Sequence, residues 1–314
     1  MYHYVFEATT KDGVTHRVDT EDSFVMGVGY HLENGDHVIL QQIDSVEGSV
    51  VYFDDINRVG NLWMIFVVFL IVALLVGLLR GFLSVLSLII TVVILLAWLL
   101  PAILQGHDPV ITTVIASTVV LAVNMHLSHG FNKRTFLAFL STLVGLFFVV
   151  FFTEVFVSLA HLSGLASEEG TLLFLELGRI HLPVNILTAG IILGAMGVLD
   201  DVAITQAQTV HELIRVNNSL TRQQLFRQAM YIGRHHIAST VNTLVLVYVG
   251  AALPSILLYL QLMHGWHTFL NNELIAEEIV RTLAGTCALV LTIPISAWFA
   301  TFQYRKVDNL QKST

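Results

Sequence analysis

The stretch Leu62–Leu100, LWMIFVVFLIVALLVGLLRGFLSVLSLIITVVILLAWLL, holds one charged residue, Arg80. A helix that crosses a bilayer needs about 20 apolar residues. The stretch therefore reads as two spans, about 62–79 and 82–100, parted at Arg80-Gly81. The same pattern recurs further along, at about 109–127, 135–159, 183–203, 237–260 and 282–302. Helices this apolar all round would have no water-facing side in a soluble bundle, so the bilayer is their solvent. Composition agrees. Of 314 residues only 12% are charged and 55% are hydrophobic, against roughly 25% and 45–50% in soluble domains. A disordered chain, a coiled coil and most soluble folds are excluded. The net charge of −8 argues against a nucleic-acid partner, since such proteins neutralise phosphates with Lys and Arg.

Basic residues in short loops orient a membrane protein, because they stay in the cytoplasm. Alternate connections carry Arg80; then Lys133 and Arg134; then Arg215, Arg222, Arg227 and Arg234; then Arg305, Lys306 and Lys312 in the tail 305–314. The opposite connections carry Arg179 and Arg281. Ten against two expects the first set and the C-terminus inside and the N-terminus outside. One connection, 204–236, is long and basic, with apolar Val210, Leu213, Ile214, Leu220, Leu225, Phe226 and Met230. It reads as one or two amphipathic helices lying along the cytoplasmic surface. Ser219 or Thr221 would cap the second.

Residues 1–58 follow another pattern. Tyr2, Tyr4, Phe6 and Ala8 alternate with other residues, and Lys11-Asp12-Gly13 turns the chain before Val14, His16 and Val18. Asn34-Gly35-Asp36 and Val46-Glu47-Gly48 bound further short runs. A small all-β module of about five strands is expected ahead of the helical domain 59–304. The module holds eleven acidic and three basic residues, so it carries the whole −8 and the remainder is neutral. Its partners would be cations, basic peptides or a basic patch. The single cysteine, Cys287, leaves no internal disulfide. An outer module without an apolar leader is expected either to be translocated by the first span or to follow an upstream hydrophobic segment.

Ionisable groups inside a bilayer are costly and mark function. Asp200 and Asp201 are the best candidates. Gly190, Gly194, Gly197, Asp201, Thr205 and Gln208 recur at spacings of 4, 3, 4, 4 and 3, which is one helix face. Glycines on such a face let another helix approach closely, so Asp201 is expected to face protein. Adjacent carboxylates in a poorly solvated site repel, which makes the pair a candidate to exchange a proton or hold a cation. The plainer alternative is that they mark the water boundary. Gly233-Arg234-His235-His236 opens the sixth span, where His235, Ser239 and Asn242 share a face expected to meet the aspartates, with Arg234 as counter-charge. The candidate set is therefore Asp200, Asp201, Thr205, Arg234, His235, His236, Ser239 and Asn242, with Gly190, Gly194 and Gly197 for helix packing.

Fourteen histidines include the pairs His126/His129, His235/His236 and His264/His267, but no His-Glu-x-x-His or His-x-x-x-His. No metal and no other cofactor is expected. A Gly-x-Ser-x-Gly elbow and a phosphate loop are also missing, so enzymatic activity is not expected. Pro254 and Pro294 are expected to kink spans six and seven.

The runs Gly194–Gln208 (GAMGVLDDVAITQAQ), Glu212-Leu213 and Ile232–Leu246 (IGRHHIASTVNTLVL) closely resemble the YibE/F family of bacterial multi-span membrane proteins. Gly106-His107-Asp108-Pro109, His129-Gly130-Phe131 and Gly164–Glu169 (GLASEE) are similar to its other motifs. The resemblance covers roughly residues 35–300, and the front module resembles the YibE type. Family members often carry Asp where His235 stands, and often begin with a hydrophobic segment. The resemblance implies a bacterial plasma-membrane protein whose partners are the bilayer and a sister YibE/F protein or a second copy. It implies no particular activity. Locally, the span ending at Asp200-Asp201 and the following span starting Ser239-Thr240 are similar to the core of proton-driven RND-type exporters and SecD/SecF proteins, whose membrane carboxylates carry protons.

A transport or export component is the leading expectation. A membrane scaffold or receptor whose outer module binds an envelope component is the alternative. An intramembrane hydrolase with zinc near His235 and His236 comes third. A fluorescent reporter fused at Thr314 should glow in the cytoplasm, and a reporter active only outside should be silent there; the reverse would overturn the orientation.

Overall fold

The computed structural model describes residues 5–10, 12–19, 32–45, 48–178, 182–262 and 265–303. Tyr2, Tyr4, Lys11, Val46, Glu47, Arg179, His264 and the tail 305–314 lie outside the described residues. The chain divides into two units, 1–78 and 79–314.

In the first unit, β1 (Val5–Thr9) pairs antiparallel with β2 (Thr15–Asp19), and β3 (Val38–Ser45) with β4 (Gly48–Ile56). Gly13, at φ 81°, makes the first turn possible, a conformation that side chains with a Cβ resist. Alternation buries Val18 and Phe53. The Phe6 ring meets Phe53 edge-on at 6.1 Å, which joins the two hairpins into one small core. Four strands in two sheets stand among the described residues, where about five were expected. The last strand ends at Ile56.

Helices follow: α1 (Val59–Ile94), a π-helical turn (Leu95–Leu99), α2 (Leu100–Leu104), α3 (Pro109–His129), α4 (Lys133–Leu159), α5 (Glu168–Leu177), α6 (Leu182–Val216), α7 (Arg222–Ala251), α8 (Leu253–Leu262), α9 (Trp266–Leu270) and α10 (Glu273–Ala300). Among the described residues five are long and apolar enough to cross a membrane, six when α7 and α8 count as one bent span. Seven were expected. The difference lies in 59–104, where helix continues through Arg80-Gly81 and the backbone breaks instead at Leu78 (φ 50°, ψ −132°). Those 46 residues would extend about 69 Å, more than twice a hydrocarbon core of about 30 Å. Leu78 divides them into two lengths that each fit.

The segment 204–236 also differs from expectation. It forms no separate surface helices. Neither Gly nor Pro stands between Asp200 and Val216, so α6 simply continues. Its side chains Val202, Ala203, Gln206, Ala207 and Val210 are buried. Thr221 then caps α7: its Oγ1 accepts from the Gln224 N–H at 3.3 Å, and Gln224 Oε1 accepts from the Thr221 N–H at 2.8 Å. At Pro254 the sixth span bends by 64° between α7 and α8, whereas α10 runs through Pro294 as one helix.

Lipid is as apolar as leucine, so helices in a bilayer associate by close packing and hydrogen bonds. The centre of the second unit is Val120 and Leu121 of α3, Leu146 and Val149 of α4, Ile192 and Leu199 of α6, and Leu289 and Ile293 of α10. At one end the residues shrink to alanine: Ala138, Ala203, Ala207, Ala229, Ala297 and Ala300. Ser296 Oγ there donates to the Ala203 carbonyl (2.9 Å), Gln206 Nε2 to Ala229 (3.2 Å) and Gln303 Nε2 to Ala207 (3.2 Å).

The closest glycine approaches are at Gly145 and Gly233. A Cβ on Gly145 would stand 3.2 Å from Leu199 Cδ2, and one on Gly233 would stand 2.8 Å from Ile293 Cγ2. Gly190 and Gly197, expected to pack helices, front open space, and Gly194 faces only Tyr248. The spacing found a true face of α6, but the buried face is the opposite one. Gly145→Val or Gly233→Val should lower detergent-solubilised stability by about 1–3 kcal/mol. Gly197→Ala should leave the unfolding midpoint unchanged.

Candidate functional site

The candidate site is built at the basic end of α6, where α3 ends and α7 begins. Gly130 (φ 83°) stops α3, and Asn132 locks the turn into α4. Its Nδ2 donates to the His129 carbonyl at 3.0 Å, and its Oδ1 accepts from the Thr135 N–H at 2.9 Å. That turn delivers His129 and Arg134 to the same end as Asp201.

Asp201 is exposed and lies within electrostatic range of His129 and His236. His129 in turn lies within range of Arg134 and Arg80. Asp200 is half-buried, and its Oδ1 has no hydrogen-bond partner among the described residues. A buried carboxylate oxygen without a partner is costly, and such groups cluster where function requires them. Beside these groups opens a cavity of about 550 Å³, lined by Arg80, His129, Arg134, Thr205, Gln208 and Glu212 among others. Thr205 stands one helical turn beyond Asp201, so the cavity reaches the carboxylate's own face.

The α7 candidates divide. Arg234, His235, Ser239 and Asn242 are exposed, and among the described residues Arg234 makes no ion pair. The reason is Gly233. It is buried against Gln206 and Ile293, which rotates α7 so that His236 approaches Asp201. His235 turns away onto the Tyr231 ring at 5.3 Å. The structure thus gathers Asp200, Asp201, Thr205 and His236, and adds His129, Arg134 and Arg80. The Gly130-Phe131-Asn132 helix stop was the available signal for His129.

The face Gly190, Gly194, Gly197, Asp201, Thr205, Gln208 is exposed throughout. Asp201 was expected to face protein; in the single chain it does not. Among the described residues no three His, Cys, Asp or Glu side chains converge as a metal site.

A second polar site lies at the opposite end of α6. Asn272 caps α10, accepting from the Ile275 N–H at 3.4 Å, so the helix starts well before the expected 282. Glu277 is therefore inside the helix, only 7% exposed, and its Oε1 has no partner among the described residues. The sequence signal was Asn271-Asn272-Glu273 followed by Ile275, Val280 and Ala284.

The fold and these sites define a multi-span helical membrane protein with a small β module. Residues 65–306 match the family described as YibE/F-like protein, and the chain belongs to that family. No curated protein and no solved structure gives a significant match. Three motifs of the resemblance prove to be helix stops and starts. Asp108 Oδ1 accepts from the Ile111 N–H (2.9 Å), Gly130 ends α3, and Ser167 Oγ accepts from the Gly170 N–H (3.0 Å).

In a Cys287→Ala background, a cysteine at position 205 should react readily with a water-soluble thiol reagent. One at the buried position 206 should react about tenfold more slowly or less. Equal rates would contradict the cavity.

Proposed function

We propose that this protein is a transport or export component of a bacterial plasma membrane, with its N-terminal module outside and the Val216 end of α6 in the cytoplasm. Asp201, with Asp200 behind it, takes up and releases a proton or small cation through the adjoining cavity. His236 and His129 stand close enough to respond to that charge. Movement of α7 against α6 then couples the exchange to a substrate or to the outer module, and the bend at Pro254 gives α7 and α8 a place to flex. The observation that supports the reading is the cavity of about 550 Å³ beside a carboxylate pair where α6 changes from apolar to polar. A well-packed bundle without a polar opening there would have favoured a passive scaffold.

The scaffold reading keeps one supporting observation. The exposed face from Gly190 to Gln208 has the small residues that receive a helix from a sister YibE/F protein or a second copy. On either reading the chain is not an enzyme and needs no resident cofactor.

The test is proton flux into proteoliposomes under an imposed pH gradient. The parent protein should conduct above empty vesicles. Asp201→Asn should lower that flux about tenfold or more while insertion and unfolding midpoint stay unchanged. A variant that conducts like the parent sinks the role of Asp201, and a parent no leakier than empty vesicles sinks the reading.

A further inference from the structure

Glu277 of α10 is buried, yet its Oε1 has no hydrogen-bond partner among the described residues. One turn on, Arg281 has the complementary defect. Its Nη1 is committed to Glu278 Oε1 at 2.9 Å, while its buried Nε has no partner among the described residues. An acceptor and a donor are thus left open on one helix face. The i, i+4 spacing brings the two side chains within range of each other, but among the described residues no hydrogen bond joins them. Leaving a buried donor or acceptor unmet is costly, and more so for charged groups.

Both side chains line one cavity of about 310 Å³. Its other walls include Leu173 and Phe174 of α5 and Ile186 of α6, with Glu169 also on the lining. The nearby carboxylate of Glu273 is already used, accepting from the Ser163 and Gly164 N–H groups, so it does not compete. The volume sits at the lower end for small-molecule pockets.

We propose that this cavity binds a small zwitterion of the α-amino-acid type. Its ammonium pairs with the Glu277 carboxylate, its carboxylate pairs with the Arg281 guanidinium, and its apolar side chain lies on Leu173, Phe174 and Ile186. A bare cation would leave Arg281 unmet, and a bare anion would leave Glu277 unmet. A molecule with both charges a few ångströms apart satisfies the two defects together. The site lies at the far end of α6 from Asp201, and the inference does not depend on proton exchange there.

The experiment measures thermal unfolding of the full chain in detergent against alanine, leucine and phenylalanine. The two halves of leucine are the controls: isopentylamine carries only the cation and 4-methylpentanoate only the anion. At least one amino acid should raise the midpoint saturably, and each half-molecule should bind about tenfold more weakly or less. Glu277→Gln should abolish the preference for leucine over 4-methylpentanoate. If no amino acid stabilises a monodisperse parent protein, or if isopentylamine binds as well as leucine, the proposal is wrong. The half-molecule comparison uses the parent alone, so it decides the matter even if the variant fails to fold.

Discussion

In a bilayer, leaving lipid for protein gains a helix almost nothing from the hydrophobic effect, so this bundle depends on how closely its backbones approach. The approach is made by small residues. Gly145 of α4 admits Leu199 and Thr292, Gly233 of α7 admits Gln206 and Ile293, and alanines line the end where α4, α6, α7 and α10 converge. Close backbones bring carbonyls within reach of neighbouring side chains, and Ser296, Gln206 and Gln303 use that reach to bond across helices. The site inherits the same constraint. Gly233 fixes the rotation of α7, and that rotation decides which of two adjacent histidines approaches Asp201.

The sequence made the membrane architecture plain because length and apolarity alone decide it. The two carboxylates were equally visible, since charge is rare in such helices. What spacing could not supply was the choice of face. Gly190, Gly194 and Gly197 share a stripe with Asp201, and the stripe is real, but a glycine stripe on a helix apolar all round says nothing about whether protein or lipid covers it. In α7 the difference between His235 and His236 is a rotation of about 100°. It is set by a glycine whose role depends on a neighbour far away in the chain. Helix ends were misplaced for a related reason. Hydropathy stops where charges begin, yet α6 and α10 extend beyond the apolar region with their charged residues still helical, which is why the expected span 282–302 leaves out Glu277.

Three of the family's motifs turn out to be architectural. Asp108 with Pro109 starts α3, Gly130 and Asn132 end it and start α4, and Ser167 starts α5. Each satisfies backbone groups that a helix end leaves open, a need that grows sharper near lipid. The run around Asp200 and Asp201 differs in kind. It caps nothing, its Asp201 faces outward, and among the described residues its Asp200 Oδ1 has no partner. Within one resemblance, some residues shape helix ends and others do not.

The pairings Ala195 with Gly285, Ala203 with Ser296 and Ala207 with Gln303 rise together along both chains, so α6 and α10 run parallel. Their peptide dipoles therefore add instead of cancelling. The positive ends lie together near Leu182 and Glu273, and the negative ends lie together near Val216 and Thr301. At the negative end Lys133 Nζ donates to the Phe302 carbonyl at 2.6 Å, and Arg222 sits over the Phe302 ring at 5.2 Å. These cations belong to the set on which the expected orientation rests. Removing them would also strip the end of α10 of its counter-charges, so the side chains that carry the expected orientation also help to hold a helix end.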